Sequence, residues 1–120
     1  MVEMRVLVAF EDDYRGLREL VAFAFRTARP RDEVETIDPG ALAESVARFD
    51  PHLVISSVPN VVDPGDRTAW VELSPDPERP SKVCVGGRHS EPLNPSLADL
   101  LSIAQESEKL IGDERRPRAC

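Results

Sequence analysis

Two nearly continuous apolar runs constrain the fold of this chain more than any other feature. Residues 4–10 read MRVLVAF and residues 52–58 read HLVISSV, and both runs contain several β-branched side chains. Strands that are covered on both faces have this pattern, which is typical of parallel sheets with helices packed on either side. The sequence therefore predicts two buried strands within an α/β fold.

The segment after the first run predicts a helix. Across residues 14–29 the apolar side chains recur at helical spacing; they are Leu17, Leu20, Val21, Ala24, Phe25 and Ala28. Asp12 or Asp13 is predicted to cap the start of this helix, and Pro30 is predicted to end it.

A second strand and a second helix are predicted before the second apolar run. Residues 33–37 alternate as a short strand, and Asp38 can cap a helix that begins near Pro39. That helix is predicted to bury Leu42, Val46 and Phe49. Residues 4–58 thus predict strand, helix, strand, helix, strand, with parallel strands joined by right-handed crossovers.

The second half is interrupted by proline, since eight of the 11 prolines lie between residues 51 and 95. Residues 61–66 predict a loop, and residues 68–73 and 82–85 predict two strands. About eight residues join these strands, which is too short for a parallel crossover, so an antiparallel hairpin is expected. Residues 95–111 predict a closing helix that Asn94 or Ser96 caps and Gly112 ends; its sheet-facing side chains are Leu97, Leu100, Leu101, Ala104 and Leu110.

Length and charge exclude several classes of protein. A chain of 120 residues has room for one domain, expected at residues 1–112 with a flexible tail at 113–120. The formal net charge of −7 disfavours nucleic-acid binding, and Arg115, Arg116 and Arg118 are expected to lie in the frayed tail. No apolar stretch is long enough for a membrane span. The first residues lack the features of a secretory signal, so a cytoplasmic location is expected.

The two cysteines are predicted to be free. Cys84 lies in an alternating apolar run and Cys120 is the last residue, which favours a buried core thiol and a terminal thiol over a disulfide. His52 and His89 are far apart and have no metal-ligand spacing with the cysteines.

Residues 4–58 resemble the receiver domain of response regulators. The strand RVLVAF leads into Glu11-Asp12-Asp13, where receivers place the acidic residues that hold a magnesium ion. The second helix has the expected length, and the run from Pro51 to Ser57 resembles the receiver strand that ends in the phosphorylated aspartate. The resemblance implies a three-layer flavodoxin- and receiver-like α/β sheet, with parallel strands 1–3 followed by the antiparallel hairpin and the closing helix.

The departures from the receiver pattern concern its chemistry. Ser57, or Ser56 if the register slips by one, stands at the phosphoacceptor position, and no acid occurs between residues 51 and 62. A carboxylate is the attacking nucleophile in acyl-phosphate formation, and a serine hydroxyl without a base does not replace it. Ser74 stands near the place of the family's hydroxyl residue but begins a proline-rich loop. Glu91-Pro92 stands where the family has Lys-Pro, which inverts a charge.

Each remaining candidate has a structural alternative. Glu11, Asp12 and Asp13 could hold a divalent cation at the end of the first strand, or could be a helix cap and solvated charge. Ser56 and Ser57 could line the same crevice, or could be satisfied by backbone carbonyls. Gly86-Gly87 indicates a turn. Trp70 shares a face with polar residues, so it could be a partly exposed interface residue or part of the core.

These observations predict a regulatory or signalling module that is not an enzyme. It is expected to act through a protein partner or as a homodimer, without a phosphoacceptor aspartate, nucleic acid, membrane or cofactor. The resemblance implies two-component signalling as its setting. The alternative is a small-ligand or divalent-metal domain, such as a weak magnesium site, that uses Glu11 and Asp12 after the first strand.

Overall fold

The computed structural model describes residues 4–57, 67–111 and 120. The strands are β1 (Arg5–Ala9), β2 (Glu33–Ile37), β3 (Leu53–Ser56), β4 (Ala69–Glu72), β5 (Lys82–Val85) and β6 (Arg88–Ser90). The helices are α1 (Arg15–Ala28), α2 (Leu42–Phe49) and α3 (Leu97–Ile111). The loop predicted at residues 61–66, the helix end predicted at Gly112 and the arginine-containing tail lie outside the described residues, Cys120 excepted.

The strands form one mixed sheet in the order β2-β1-β3-β4-β5-β6. Strands β2, β1, β3 and β4 run parallel to one another, whereas β5 is antiparallel to β4 and β6 is antiparallel to β5. The predicted α/β class, the parallel strands of the first half and the antiparallel β4–β5 hairpin are therefore confirmed. No helix among the described residues is long and apolar enough to cross a membrane.

The alternation of side chains along the buried strands divides the core between the two faces of the sheet. The α1 and α3 face contains the larger cluster, which includes Val6, Val8, Phe10, Val21, Phe25, Ile55, Val71, Leu100 and Ala104. The α2 face contains the smaller cluster, formed by Leu7, Ala9, Leu42, Val46, Val54 and Trp70. Because β1 and β3 supply buried side chains to both clusters, their sequences have almost no polar positions.

Two predicted caps are present and one is wrong. Asp38 accepts a hydrogen bond from Gly40 N at 2.8 Å, and Ser96 and Asp99 bond each other's backbone N–H groups at the start of α3. The carboxylates of Asp12 and Asp13 make no cap hydrogen bond; they lie in a short 3₁₀ helix, Asp12–Tyr14, that precedes α1.

A buried ion pair connects the end of α1 to α3. Arg29 pairs with Asp32, whose side chain is only 4% exposed, and Arg29 Nη2 lies 3.0 Å from Glu108 Oε1. Burial acts to lower the pKa of Arg29, but the two carboxylates outweigh burial and hold that pKa above its ordinary value. Arg29 therefore stays charged and joins two elements that are distant in sequence.

Strand β6 is an element that the sequence interpretation did not include. Gly86 and Gly87 have φ values of 57° and 85°, so both lie in the left-handed region that a two-residue hairpin turn requires. A Cβ at Gly86 would lie 2.6 Å from Leu110 Cδ1. The predicted turn is confirmed, and it closes a second hairpin that extends the sheet by one edge strand.

Candidate functional site

The carboxyl ends of the parallel strands place the predicted acidic and serine residues at one edge of the sheet. Strand β1 leads through Phe10 to Glu11, and β3 leads to Ser57. The register pairs Ala9 with Ser56, so both strands end at the same level. In open α/β sheets this edge is where ligands bind.

A direct contact joins the two strand ends. Glu11 N donates a hydrogen bond to Ser57 Oγ at 3.2 Å, and Ser57 N donates to Ala9 O at 3.1 Å. Ser56 is fully buried, whereas Ser57 is half-buried at the edge. Of the two serines, Ser57 is therefore the one that faces the acidic segment, and its hydroxyl oxygen accepts a main-chain N–H.

Arg18 of α1 occupies the space beside the acidic segment. Its Nη1 donates to Phe10 O at 3.0 Å, and its Nη2 lies 3.5 Å from Asp12 Oδ1. Asp12 therefore has a cation as its neighbour. Among the residues that the structure describes, no group of three or more His, Cys, Asp or Glu side chains converges as a metal ion would require.

Ser74 and Glu91, the two downstream residues that the sequence analysis compared with receivers, lie in different surroundings. Ser74 follows β4 and also leaves the sheet at its carboxyl edge, where its hydroxyl hydrogen-bonds within its own loop to Asp76. Glu91 follows the added strand β6. The pair Glu91-Pro92 therefore follows an antiparallel edge strand rather than a parallel one.

Trp70 is 3% exposed, so the expectation that it is partly exposed is wrong. It lies on the α2 face and belongs to the cluster around Leu42 and Val46. The polar residues that share its face in β4 lie at the strand ends, which is why alternation alone misplaced it. Its Nε1 has no hydrogen-bond partner among the described residues.

An open cavity of about 460 Å³ lies beside Trp70 on this part of the sheet. Its lining includes Glu72, Lys82, His89, Glu91 and Cys120. The indole nitrogen of Trp70 is itself buried and does not open into the cavity. The cavity is therefore lined by polar and apolar side chains, and the N–H of Trp70 is not available in it as a hydrogen-bond donor.

Cys84 and Cys120 form a disulfide, so the prediction of two free thiols is wrong. Their Cα atoms lie 5.9 Å apart, which is a usual separation for a disulfide. Cys120 reaches this place because its N–H donates to Arg67 O at 2.9 Å, just before β4, and β4 pairs with β5. Local spacing does not indicate this proximity, because 36 positions separate the two cysteines.

A polar cluster lies at the opposite edge, where the parallel strands begin. Asp50 adopts a left-handed conformation and pairs with Arg5 and Arg67. The hydrogen bond from Arg67 is the main reason that the pKa of Asp50 is lowered. Burial lowers the pKa of His52, and Arg5 lowers it further. Arg5 N donates to His52 Nδ1 at 2.9 Å, so this ring nitrogen is an acceptor and carries no proton.

The exposed face of α1 was missed from the sequence. Leu20, a member of the apolar stripe described from the sequence, is 49% exposed, and Phe23 is 67% exposed. Ala28, also a member of that stripe, is exposed, while Val21 and Phe25 are buried. The sequence signal for this exposed face was Phe23, which lies outside the apolar stripe of the helix. A phenylalanine on the solvent side of a helix does not pack into the core of its own chain, so it indicates a contact surface.

No family model, curated protein or solved structure matches the chain. The resemblance of residues 4–58 to receivers therefore stays a prediction from the residues that carry it.

Proposed function

We propose that this protein is a non-catalytic, receiver-like regulatory module that acts through protein–protein contact, with flavodoxin- and receiver-like layering of its helices and sheet. The observation that carries the proposal is the hydrogen bond from Glu11 N to Ser57 Oγ. It puts an alcohol, held by the main chain, at the strand end where the receiver family has its aspartate nucleophile. A hydroxyl in this role stabilises the sheet edge and does not accept a phosphoryl group.

The surface supports contact as the mode of action. Leu20 and Phe23 lie three positions apart on α1, so they form one exposed apolar patch on the helix. Large exposed apolar side chains that lie together on a folded surface mark interaction sites. This patch is on the helix that follows the acidic segment, so a partner on α1 would lie near the sheet edge.

The test is incubation with a small acyl-phosphate donor and Mg²⁺, followed by intact-mass measurement. The protein is expected to keep its mass, while a response-regulator receiver with its aspartate intact gains one phosphoryl group in the same tube. Stoichiometric phosphorylation of the wild type that Ser57→Ala abolishes would overturn the proposal.

A divalent-cation domain is the alternative function, and no specific contact in the described structure favours it. Asp12 lies beside Arg18, which competes with a cation for the carboxylate. Calorimetric titration with Mg²⁺ and Mn²⁺ decides: saturable binding that Asp12→Asn removes would establish the alternative, and the absence of heat would exclude it at the concentrations used.

The cytoplasm is the proposed place of action, and the disulfide provides its test. Disulfides persist mainly in oxidising compartments, and a reducing cytoplasm keeps most thiols free. Thiol labelling in intact cells, before lysis, decides the location, and free thiols at Cys84 and Cys120 would support the cytoplasm. Quantitative protection of both from labelling would place the protein in an oxidising compartment.

A further inference from the structure

We infer that the exposed face of α1 binds a second copy of this chain in an antiparallel, two-fold symmetric helix pair. The inference rests on the proposed function, because it names the partner for the apolar patch described there. Three observations carry it: the exposure of the patch, the symmetry of its spacing and the placement of its charges.

The exposed strip of α1 consists of Gly16, Leu20, Phe23 and Thr27, all of which are exposed. Positions three and four apart lie on one side of a helix, so these four residues form a continuous stripe. The stripe is unlike the rest of the helix surface because its centre is apolar. In the monomer about half of Leu20 and two thirds of Phe23 remain exposed to water, so both still have apolar surface that a partner could bury.

The spacing within the strip is the same read from either end. The steps are four, three and four residues, so the midpoint lies between Leu20 and Phe23. A two-fold axis at this midpoint places Leu20 against the partner's Phe23, and Gly16 against the partner's Thr27. Two-fold interfaces use the same patch on both subunits and require this self-complementarity. The small residues at both ends let the two helices approach closely.

The charges beside the strip are also self-complementary. Glu19 and Arg26 are both exposed and lie seven positions apart, which puts them on the same flank of α1. In the antiparallel pair this flank meets the same flank of the partner. Glu19 then lies about 3 Å along the helix axis from the level of the partner's Arg26, at a rise of about 1.5 Å per residue. Two reciprocal ion pairs result when Glu19 exchanges its 3.8 Å contact with Arg18 Nε, and Arg26 its hydrogen bond to Val34 O, for the side chains of the partner.

The described structure leaves room for this approach. A Cβ placed at Gly16 meets no atom within 4 Å, so the space above this end of the strip is open. Arg18 is turned away from the strip, since its Nη atoms contact Phe10 O and Asp12; its Nε lies 3.8 Å from Glu19 Oε1 on the flank. The whole chain carries a formal net charge of −7, so two copies repel each other generally. The reciprocal pairs oppose this repulsion locally and fix the orientation.

The helix length sets the strength of the association. A helix of 14 residues is about 21 Å long, and a single pair of such helices buries less than a standard stable interface. The expected dimer is therefore weak. Sedimentation velocity and light scattering should follow it from micromolar to millimolar concentrations of the full chain at physiological salt.

The test uses charge reversal with rescue. Glu19→Arg and Arg26→Glu are each expected to weaken dimerisation at least about tenfold, and the double variant is expected to restore it, because the pairs re-form with opposite polarity. Phe23→Glu is expected to abolish the dimer. Leu93→Glu is the matched control: Leu93 is 62% exposed but lies beside Pro80, next to β5 and far along the sheet from α1, so its variant should dimerise like the wild type.

Each result decides the inference. Because all four positions are exposed, circular dichroism and thermal unfolding are expected to confirm folded variants. A wild type that stays monomeric at every concentration overturns the second copy as occupant, and so does a dimer that Leu93→Glu abolishes and Phe23→Glu does not. A monomer that the acyl-phosphate donor leaves unmodified refutes only this inference, whereas stoichiometric phosphorylation refutes the proposed function itself.

Discussion

Removal of the Cys84–Cys120 disulfide should destabilise the protein strongly. The bond closes a loop across a sequence separation of 36 and fixes the last residue of the chain beside β4. Reduction by a dithiol converts the bond into two thiols while the reductant becomes a disulfide. Replacement by Cys84→Ala with Cys120→Ala gives the same open chain without a reductant.

The size of the effect follows from loop closure. In the chain-entropy description, a cross-link that spans about 36 residues removes about 13 cal/mol/K from the unfolded chain, which is about 4 kcal/mol at room temperature. A domain of this size unfolds with about 0.25 kcal/mol/K of entropy near its midpoint. The midpoint of thermal unfolding should therefore fall by about 15 °C when the bond is absent.

Calorimetry or circular dichroism measures the shift, with and without a dithiol. The wild type is expected to lose the full amount on reduction, and the double alanine variant should have the midpoint of the reduced wild type and ignore the reductant. Trp70 is the only tryptophan and lies opposite Cys84 in the β4–β5 register, so its emission reports the same transition locally. A reduced protein whose midpoint equals that of the oxidised one would refute the loop-closure argument.

Three further predictions concern other buried features. Stability should fall as the pH drops below about 6.5, because the pKa of His52 is lowered in the folded chain and the unfolded chain therefore takes up the proton first; urea unfolding across pH should show this loss, and His52→Gln should flatten it. Arg29→Ala leaves Asp32 buried without its cation and should cost about 3 kcal/mol, while a change below about 1 kcal/mol in urea unfolding would contradict the buried pair. Gly86→Ala forces a left-handed conformation and a contact with a leucine of α3, so it should cost about 1–3 kcal/mol, measured in the same way.

Hydrophobic patterning predicted the elements that are buried on both faces. The runs around β1 and β3 are short and rich in β-branched residues, which favours buried strands, and a linker of about eight residues allowed only an antiparallel β4–β5 pair. Side-chain patterns were sufficient to predict these elements, because each element depends only on local spacing and on burial within its own chain.

Features that depend on distant residues were not predictable in this way. Trp70 is buried because α2 packs over it, which the alternation in β4 does not show. The disulfide depends on the end of the chain returning to Arg67. Strand β6 could have been predicted, because two consecutive glycines after a strand indicate a hairpin turn.

The sequence predicted where the candidate site lies in the sheet but not which side chains contact each other there. Parallel strands bring their carboxyl ends together, so Glu11 and Ser57 were expected at one edge, and the hydrogen bond between them agrees with that expectation. The role of Arg18 beside Asp12 was not foreseen, because an arginine on the flank of α1 gives no sign of its direction in the sequence. Leu20 was included in the apolar stripe because an apolar residue next to the buried stripe looks the same whether it faces the sheet or a second molecule.

A dilution series of nitrogen-labelled protein, followed by NMR of the amide resonances, tests most directly the proposal that this protein works through contacts of the exposed face of α1. Concentration-dependent shifts are expected to centre on Leu20 and Phe23 and to vanish in Phe23→Glu. Resonances that stay fixed throughout, or that move only along β5 and β6, would contradict it.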